Sequence, residues 1–287
     1  MQYSVAALRK LVAGTAAILA IVVSSGPPLS AAAAPAPPTG SGRFLDHHGP
    51  VLRAVQLQLI YWGSAWTGTG GLSPSPEQIT TAMRTVLAGP YLSGLAQYRG
   101  IGAGVVRGST VITASDPRDG FTYKDVTSFL DARLDGGSVP APDRVNQTLY
   151  VVVMPTGIHS GDTDFAGEHN YYTRHHQRIH FVWTADSASL ASATRIMSHE
   201  VVESVTDPEG TAILGVHGTC SPGGWCEIAD ICPATGVLDG IVVEAYWSNL
   251  AGGCVAPTSP TSQPSRLRVH RAATTQTLPK SHAPALS

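Results

Sequence analysis

Charged residues are scarce in this sequence, and no basic cluster is present. Asp, Glu, Lys and Arg make up 13% of the 287 residues, against about 25% in a typical globular protein. The formal net charge is −2. A nucleic-acid-binding surface needs Lys and Arg gathered on one face, so we predict no nucleic-acid partner. The low charge is compatible with a secreted, Gly- and Ala-rich protein.

The sequence also lacks an apolar run long enough for an ordinary membrane span. Its most apolar stretch extends from Leu11 to Val23, whereas a transmembrane helix needs about 20 such residues. Two basic residues precede this stretch and a run of small residues follows it. This pattern predicts a secretory signal peptide over residues 1–34, with no stable membrane anchor after cleavage. A retained anchor is the alternative.

Two further segments lack the periodicity of folded elements. Residues 35–49 begin with a Pro-, Ala- and Gly-rich stretch and are predicted to be a linker. Residues 256–287 are rich in Ser, Thr, Pro, Ala and Gln and are predicted to be a disordered tail. Residues 50–255 remain, and they suffice for a single domain with a proper core.

Cysteine is absent before residue 220. The four cysteines are Cys220, Cys226, Cys232 and Cys254. No C-x-x-C pair occurs, which argues against a cysteine zinc site. Disulfides are expected in a secreted protein, and three pairings are possible. We favour Cys220–Cys226 with Cys232–Cys254, which would close a small loop and a larger one.

Periodicity and turn signals predict strands and helices through residue 206. In chain order these are a strand over 51–62, a helix over 77–98 interrupted at Gly89-Pro90, a strand over 104–113, a helix over 123–134, strands over 149–154 and 178–184, and a helix that ends at Thr206. Residues 155–177 are polar and Gly-rich and are predicted to be a loop. The predicted fold class is α+β, with a mixed twisted sheet, two or three packed helices and a small irregular C-terminal half held by disulfides. The element order is that of the upper half of zincin-type metallopeptidases, which predicts a zincin-like fold by analogy.

The last predicted helix carries the most reactive set of side chains. His199, Glu203 and Asp207 follow one another at intervals of four, so a helix would place them in one column. An imidazole and two carboxylates form a ligand set for a divalent metal. Glu200 occupies the position of the general base in the zincin motif H-E-x-x-H. The second histidine of that motif is missing, because Glu203 stands in its place.

The predicted cofactor is Zn²⁺ bound by His199, Glu203 and Asp207. Two carboxylates partly offset the charge of the dication, so Mn²⁺ or Ca²⁺ remains open. Glu209 is an alternative third ligand, at metzincin-like spacing. The competing interpretation is a solvated acidic helix face that binds no metal.

Three residues outside this helix are candidates for supporting roles. His169 is predicted to stabilise an oxyanion, and the alternative is a solvated loop histidine. Glu227 and Asp230 flank apolar residues just before Cys232. They are predicted to approach the column as ligands or as hydrogen-bond partners of ligands, and the alternative is ordinary surface acids beside a buried Ile.

Several spaced motifs resemble the phosphate-induced, EXORDIUM-like family of secreted proteins and its bacterial members. The motifs are Leu59-Ile60-Tyr61-Trp62-Gly63, Leu149-Tyr150-Val151-Val152-Val153, Gly167-Glu168-His169, His180-Phe181-Val182-Trp183, residues 198–208, Glu227-Ile228-Ala229-Asp230-Ile231-Cys232 and Cys254. The resemblance covers residues 56–255. It implies an extracellular protein associated with the cell wall and supports the pairing of Cys232 with Cys254. No established reaction comes with this family.

The favoured functional hypothesis is a secreted metal-dependent hydrolase, in particular a metallopeptidase. A metal-bound water would lose its proton to Glu200, which would pass it to the leaving amine. The predicted substrate is a peptide or a cell-wall polymer. The oligomeric state is not determined by any of these patterns.

Two alternatives belong to other classes. One is a non-catalytic extracellular protein on the same scaffold that contacts cell-wall glycan through exposed aromatic residues, the candidates being Trp62, Trp66, Trp225, Trp247, Tyr171 and Tyr172. Core packing is the competing explanation for these rings, and it is favoured for Trp62 and for Trp183. The other alternative is a metal-independent glycosidase that uses two of Glu200, Glu203, Glu227 and Asp230.

Overall fold

The structure is a computed structural model that describes residues 44–67, 72–185, 187–216 and 227–258. The predicted signal peptide, most of the predicted linker, the predicted tail beyond residue 258, and both Cys220 and Cys226 lie outside these residues. The described part is a mixed α and β fold with a mixed five-stranded sheet and three α-helices. The predicted α+β class is confirmed at this level.

The helices are α1 (Pro76–Ala88), α2 (Tyr123–Asp135) and α3 (Leu190–Thr206). The strands are β1 (Phe44–Asp46), β2 (Gln56–Trp62), β3 (Val105–Ile112), β4 (Thr148–Val153), β5 (Gly167–Arg174), β6 (Gln177–Thr184), β7 (Ile213–Gly215), β8 (Thr235–Leu238), β9 (Ile241–Glu244), β10 (Tyr246–Ser248) and β11 (Gly253–Val255). Two short 3₁₀ segments, Ser64–Thr67 and Tyr91–Gln97, follow β2 and α1. Strands β3, β4 and β6 and helix α2 were predicted with only small differences at their ends, and the end of α3 was predicted correctly. The first predicted strand began five residues too early, and the part of the predicted helix 77–98 after its interruption is a 3₁₀ segment.

The main sheet has the order β3-β2-β4-β6-β5. Strands β3, β2, β4 and β6 are parallel, and β5 runs antiparallel to β6 at the edge. Every residue of β4 is buried. The continuous apolar sequence of β4 predicted this central position, because a strand covered on both faces needs no polar side.

Helices cover both faces of the sheet. Side chains of α1 and α3 pack on one face, together with the C-terminal region. Side chains of α2 pack on the other face, where Trp62 stacks on Phe129 at a ring separation of 4.0 Å. Alternate residues of each strand serve the two cores, since successive side chains of a strand point to opposite faces.

Two predicted irregular segments contain strands. Residues 155–177 were predicted to be a loop, but they include β5, which pairs along its whole length with β6. The turn between these strands is His175-His176, and both residues have positive φ, as a two-residue hairpin turn requires. Phe44 lies in the predicted linker but is buried, and β1 pairs with β7.

The strands described after α3 form short two-stranded sheets. Strand β7 pairs with β1 from the start of the described residues, β8 pairs with β9, and β10 pairs with β11. A disulfide joins Cys232 to Cys254 in β11, with sulfur atoms 2.07 Å apart. This predicted pairing is confirmed. The disulfide holds the segment 227–232 against the C-terminal end of the described chain, and that segment reaches the site described next.

Candidate metal centre

A cleft of about 1100 Å³ lies between β5 and α3. Residues 162–166 and β5 line one side, and α3 lines the other. The turn after α3, the segment 227–230 and Glu244 at the end of β9 complete the wall. Most of the reactive side chains predicted from the sequence therefore line one cavity.

Helix α3 presents His199, Glu200 and Glu203 to this cleft. Its first turn is capped by Ser189, whose hydroxyl accepts a hydrogen bond from the backbone N–H of Ser192 at 3.0 Å. The apolar side chains of Met197, Val201 and Val205 on this helix are buried in the core. As a result the side chains of Glu200 and Glu203 are only 7% and 3% exposed. The alternative of a solvated acidic helix face does not describe these two carboxylates.

The first group of converging side chains, called the His199 group here, consists of His199, Glu203 and Asp230. The Nε2 atom of His199 lies 3.2 Å from Glu203 Oε1 and 3.8 Å from Asp230 Oδ1. One ligand atom from each residue lies within 4.8 Å of the other two. Zinc bonds of about 2.0–2.2 Å place neighbouring ligand atoms about 3–4 Å apart, and the two distances from His199 lie in this range.

The second group, called the His169 group here, consists of His169, Glu200 and Glu203. His169 is on β5, and its Nδ1 atom lies 3.6 Å from Glu200 Oε2 and 3.7 Å from Glu203 Oε2. These three ligand atoms also lie within 4.8 Å of one another. His169 is thus part of a strand and 9% exposed, rather than a solvated histidine in a loop.

His169 has acceptors within hydrogen-bond distance of its second ring nitrogen, and His199 has a carboxylate farther from its own. The Nε2 atom of His169 lies 3.1 Å from Glu227 Oε1 and 3.3 Å from the carbonyl oxygen of Asp207. The Nδ1 atom of His199 lies 4.0 Å from Glu244 Oε1, and the guanidinium of Arg195 donates to the other oxygen of Glu244 at 2.9 Å. Such partners orient an imidazole and increase its basicity as a ligand.

Negative charge dominates the electrostatics of this cluster. Burial alone would lower the pKa of both imidazoles, but the surrounding carboxylates outweigh it and raise the pKa of His169 and of His199. Burial raises the pKa of Glu203 and of Asp230, and the charge of Glu227 adds to both shifts. Binding of cations or protons therefore stabilises this cluster of buried carboxylates.

Asp207 does not continue the column of ligands. It is the C-cap of α3, with φ −151° and ψ 64°, so the helical repeat ends one residue before it. Its Oδ1 atom instead accepts hydrogen bonds from the backbone N–H groups of Thr211 and Ala212, at 2.6 and 2.7 Å. Asp207 belongs to neither converging group, whereas Asp230 takes the third place beside His199 and Glu203.

Glu209, the alternative third ligand, is directed elsewhere. Its Oε1 atom lies 3.0 Å from Nε2 of His180, and its Oε2 atom lies 3.4 Å from Nε of Arg178. Both partners are on β6. Glu209 lines the cleft, but its carboxylate pairs with His180 and Arg178 and not with either group.

The segment 227–232 brings Glu227 and Asp230 to the helix. The backbone N–H of Ala229 donates to Glu203 Oε1 at 3.3 Å, and the carbonyl of Ile228 accepts from the backbone N–H of Trp247 at 2.8 Å. Ile228 is fully buried. The predicted approach of Glu227 and Asp230 to α3 is thus present in the geometry, and the buried Ile between them is its anchor.

Most of the aromatic residues considered for glycan contact are buried. Trp62, Trp66 and Trp247 are each less than a tenth exposed and lie in the core, as does Trp183. Tyr172 is half-buried, and its hydroxyl donates to Asp131 at 2.8 Å. Trp225 lies outside the described residues. Of the candidates that the structure describes, Tyr171 lines the cleft.

Sequence reasoning missed Glu244. This residue ends the short strand β9 in the sequence I-V-V-E, where its spacing carries no metal-ligand signal. The structure places it beside His199 because β9 packs along α3, with Thr194 donating to the carbonyl of Val242 at 2.7 Å. Only this long-range packing, which no local pattern encodes, identifies it.

Comparisons with known proteins do not identify a family for this chain. No protein-family model, no curated protein and no solved structure matches the chain. Among the described residues, no helix combines the length and the apolar character needed to cross a membrane.

Proposed function

We propose that this protein is a secreted metal-dependent hydrolase that cleaves amide bonds in peptides or peptide-containing cell-wall polymers. The observation that carries this proposal is the His199 group, in which three ligand atoms from two distant parts of the chain converge at a cleft wall. The Cys232–Cys254 disulfide favours an extracellular location. A zincin-like fold remains a prediction that agrees with this function, and the EXORDIUM-like resemblance remains a prediction that agrees with the extracellular location.

The donor set fits a divalent cation of intermediate hardness. One imidazole nitrogen and two carboxylate oxygens, from His199, Glu203 and Asp230, match the ligands that zinc accepts at catalytic sites. The carboxylate-rich set also suits Mn²⁺. Such a cation, when bound, lowers the pKa of a coordinated water and polarises a carbonyl oxygen.

The side chains of the cleft have distinct roles in hydrolysis. Glu200 lies next to His199 on α3 and takes a proton from the attacking water as the new C–O bond forms. It then delivers that proton to the nitrogen of the breaking C–N bond, which leaves as an amine. The Nε2 atom of His169 lies 3.1 Å from Glu227. His169 donates a hydrogen bond to the carbonyl oxygen of the cleaved amide, which becomes negative when water attacks. Water is thus added across one amide bond.

The decisive test compares hydrolysis with and without metal. The metal-free protein, residues 35–287, would be supplied with one equivalent of Zn²⁺ and a fluorescently labelled casein or peptide library. We expect zinc-dependent cleavage that falls about 100-fold or more in Glu200→Gln, the usual contribution of a general base. Glu77→Gln, the same chemical change at an exposed position of α1, should retain the wild-type rate.

Other outcomes would favour the alternatives. Zinc bound without any cleavage would support the non-catalytic binding protein, with the metal as a structural element. Cleavage of glycan that survives chelation would support the glycosidase. Peptide cleavage that stays at the zinc-loaded wild-type rate after chelation and in Glu200→Gln would refute the metallohydrolase.

A further inference from the structure

The carboxylate of Glu203 belongs to both converging groups. Its Oε1 atom lies 3.2 Å from His199 Nε2, and its Oε2 atom lies 3.7 Å from His169 Nδ1. The two histidines thus approach different oxygens of one carboxylate. A carboxylate with this arrangement is able to bridge two metal ions, which in hydrolytic two-metal sites lie about 3.5–4 Å apart.

We propose that the cleft holds a second divalent cation, bound by His169, Glu200 and Glu203 and bridged to the first by Glu203. This inference rests on the proposed function, because the His199 group is the first of the two places. The ligands of the second metal site all come from β5 and α3, whereas the first site also needs Asp230.

The surroundings of both histidines are organised in the same way. Each directs one ring nitrogen to Glu203 and has a carboxylate near the other, Glu227 for His169 and Glu244 for His199. This matches the pattern of metal-binding histidines, whose second nitrogen is usually held by a carboxylate or a carbonyl. The resemblance between the two groups therefore extends beyond the ligand atoms.

The balance of charge is consistent with two ions. Five carboxylates lie within 4.0 Å of one of the two histidines, namely Glu200, Glu203, Glu227, Asp230 and Glu244. Arg195 contributes one positive charge through Glu244. Two dications and Arg195 would match five carboxylates with neutral imidazoles. With one dication, protons on the imidazoles or carboxylates would have to balance the remaining negative charge among side chains that are largely removed from water.

The second cation changes the role of Glu200. In the one-ion state the carboxylate of Glu200 is available to accept a proton from water. In the two-ion state it is a ligand and no longer available as a base. The second place is therefore a regulatory one, and hydrolysis should be fastest when only the first place is filled.

The test counts bound metal. Metal-free wild type, His169→Ala and His199→Ala would be titrated with Zn²⁺ by calorimetry, and retained zinc would be measured by mass spectrometry after gel filtration. His159→Ala, at an exposed histidine paired with Asp119, is the matched control. We expect two equivalents in wild type and in the control, and one in His169→Ala. Peptide cleavage by wild type should fall about 100-fold between one and two equivalents, the loss expected when a general base is removed.

A second measurement does not depend on the variants being folded. Wild type loaded with two equivalents of Mn²⁺ should give the exchange-coupled electron paramagnetic resonance spectrum of a bridged pair, distinct from that of an isolated ion. If wild type bound one equivalent of zinc, and this equivalent were lost in His199→Ala but kept in His169→Ala, the second site would be overturned and the proposed function would stand. No bound metal in wild type would overturn both.

Discussion

Glu203 is the side chain on which both converging groups depend. It is 3% exposed, and its oxygens face His199, His169 and the backbone N–H of Ala229. A buried carboxylate among other carboxylates is unfavourable unless a cation balances it. The charge of Glu203 should therefore reduce the stability of the metal-free protein and become essential once metal is bound.

Replacing Glu203 with Gln should separate these two effects. The amide keeps the size and an acceptor for Ala229, so we expect a melting temperature in chelator no lower than that of wild type. Zinc at 100 times its Kd should stabilise wild type by about 2.7 kcal/mol and the variant much less. Thermal unfolding with zinc and with chelator measures both, and a full zinc-dependent gain in Glu203→Gln would contradict the assignment.

The buried side chain of His180 should make the stability of the folded state depend on pH. It is buried in β6, with Nε2 3.0 Å from Glu209 and no hydrogen-bond partner for Nδ1 among the described residues. Burial lowers its pKa; Glu209 opposes this shift, whereas Arg178 and His169 add to it. The folded state thus binds the proton less readily than the unfolded chain.

The sign of the effect on stability follows from linkage. The contribution of His180 is present above its unfolded pKa of about 6.5 and is lost as the pH falls through the lower folded value. We expect His180→Gln to lose less stability than wild type between pH 7 and pH 5, as measured by urea unfolding. His159→Gln, at an exposed position, should behave like wild type, and parallel curves for wild type and His180→Gln would contradict this account.

At the scale of elements, the site depends on how closely β5 approaches α3. The first residue of β5 is Gly167, and its surroundings leave no room for a side chain at this contact. A Cβ atom there would lie 2.7 Å from Ile196 Cγ2 and 2.8 Å from Glu200 Oε1. The absence of a side chain at residue 167 therefore sets the distance between His169 on the strand and Glu200 on the helix.

Gly167→Ala should move the strand away from the helix or displace Glu200. We expect a loss of stability of about 1–3 kcal/mol, as for other overpacked positions, and weaker binding of the second zinc equivalent. Urea unfolding and zinc calorimetry measure the two effects. Gly253→Ala is the matched control, since a Cβ there meets nothing within 4 Å. Unchanged stability and zinc binding in Gly167→Ala would contradict this role of the contact.

The sequence predicted the elements that have strong periodicity and missed those that depend on partners. Helix α3 and strand β4 were found because their apolar residues repeat at 3.6 residues or run continuously. Strand β5 was missed because its sequence, G-E-H-N-Y-Y-T-R, alternates only weakly and its turn uses two histidines. The helical spacing placed His199, Glu200 and Glu203 correctly on one helix, and the predicted end at Thr206 is confirmed. Asp207 was wrongly included in the column because the spacing of four was extended one residue beyond that end.

At the scale of the whole molecule, the Cys232–Cys254 disulfide stabilises the side of the cleft that carries Asp230. The two cysteines are separated by 22 residues, and a crosslink of this span contributes about 3 kcal/mol in the chain-entropy model. Asp230 precedes Cys232 by two residues, so the crosslink also limits the freedom of Asp230 in the proposed first metal site.

The double variant Cys232→Ser/Cys254→Ser tests both consequences. We expect a loss of about 3 kcal/mol in the free energy of unfolding, together with weaker binding of the first zinc equivalent. Guanidinium unfolding and zinc calorimetry under native conditions measure these separately. Unchanged zinc affinity with reduced stability would show that the segment 227–232 is held in place by its buried Ile228 alone.

The dispersal of the ligands along the chain has a kinetic consequence. His169, Glu203 and Asp230 come together only after β5, α3 and the segment 227–230 have packed, and the parallel strands beneath them join distant parts of the sequence. A folding nucleus would therefore not yet contain the site, and zinc should leave the refolding rate unchanged while it slows unfolding. In the metal-binding protein proposed here, metal acquired after folding would act mainly by lengthening the lifetime of the native state.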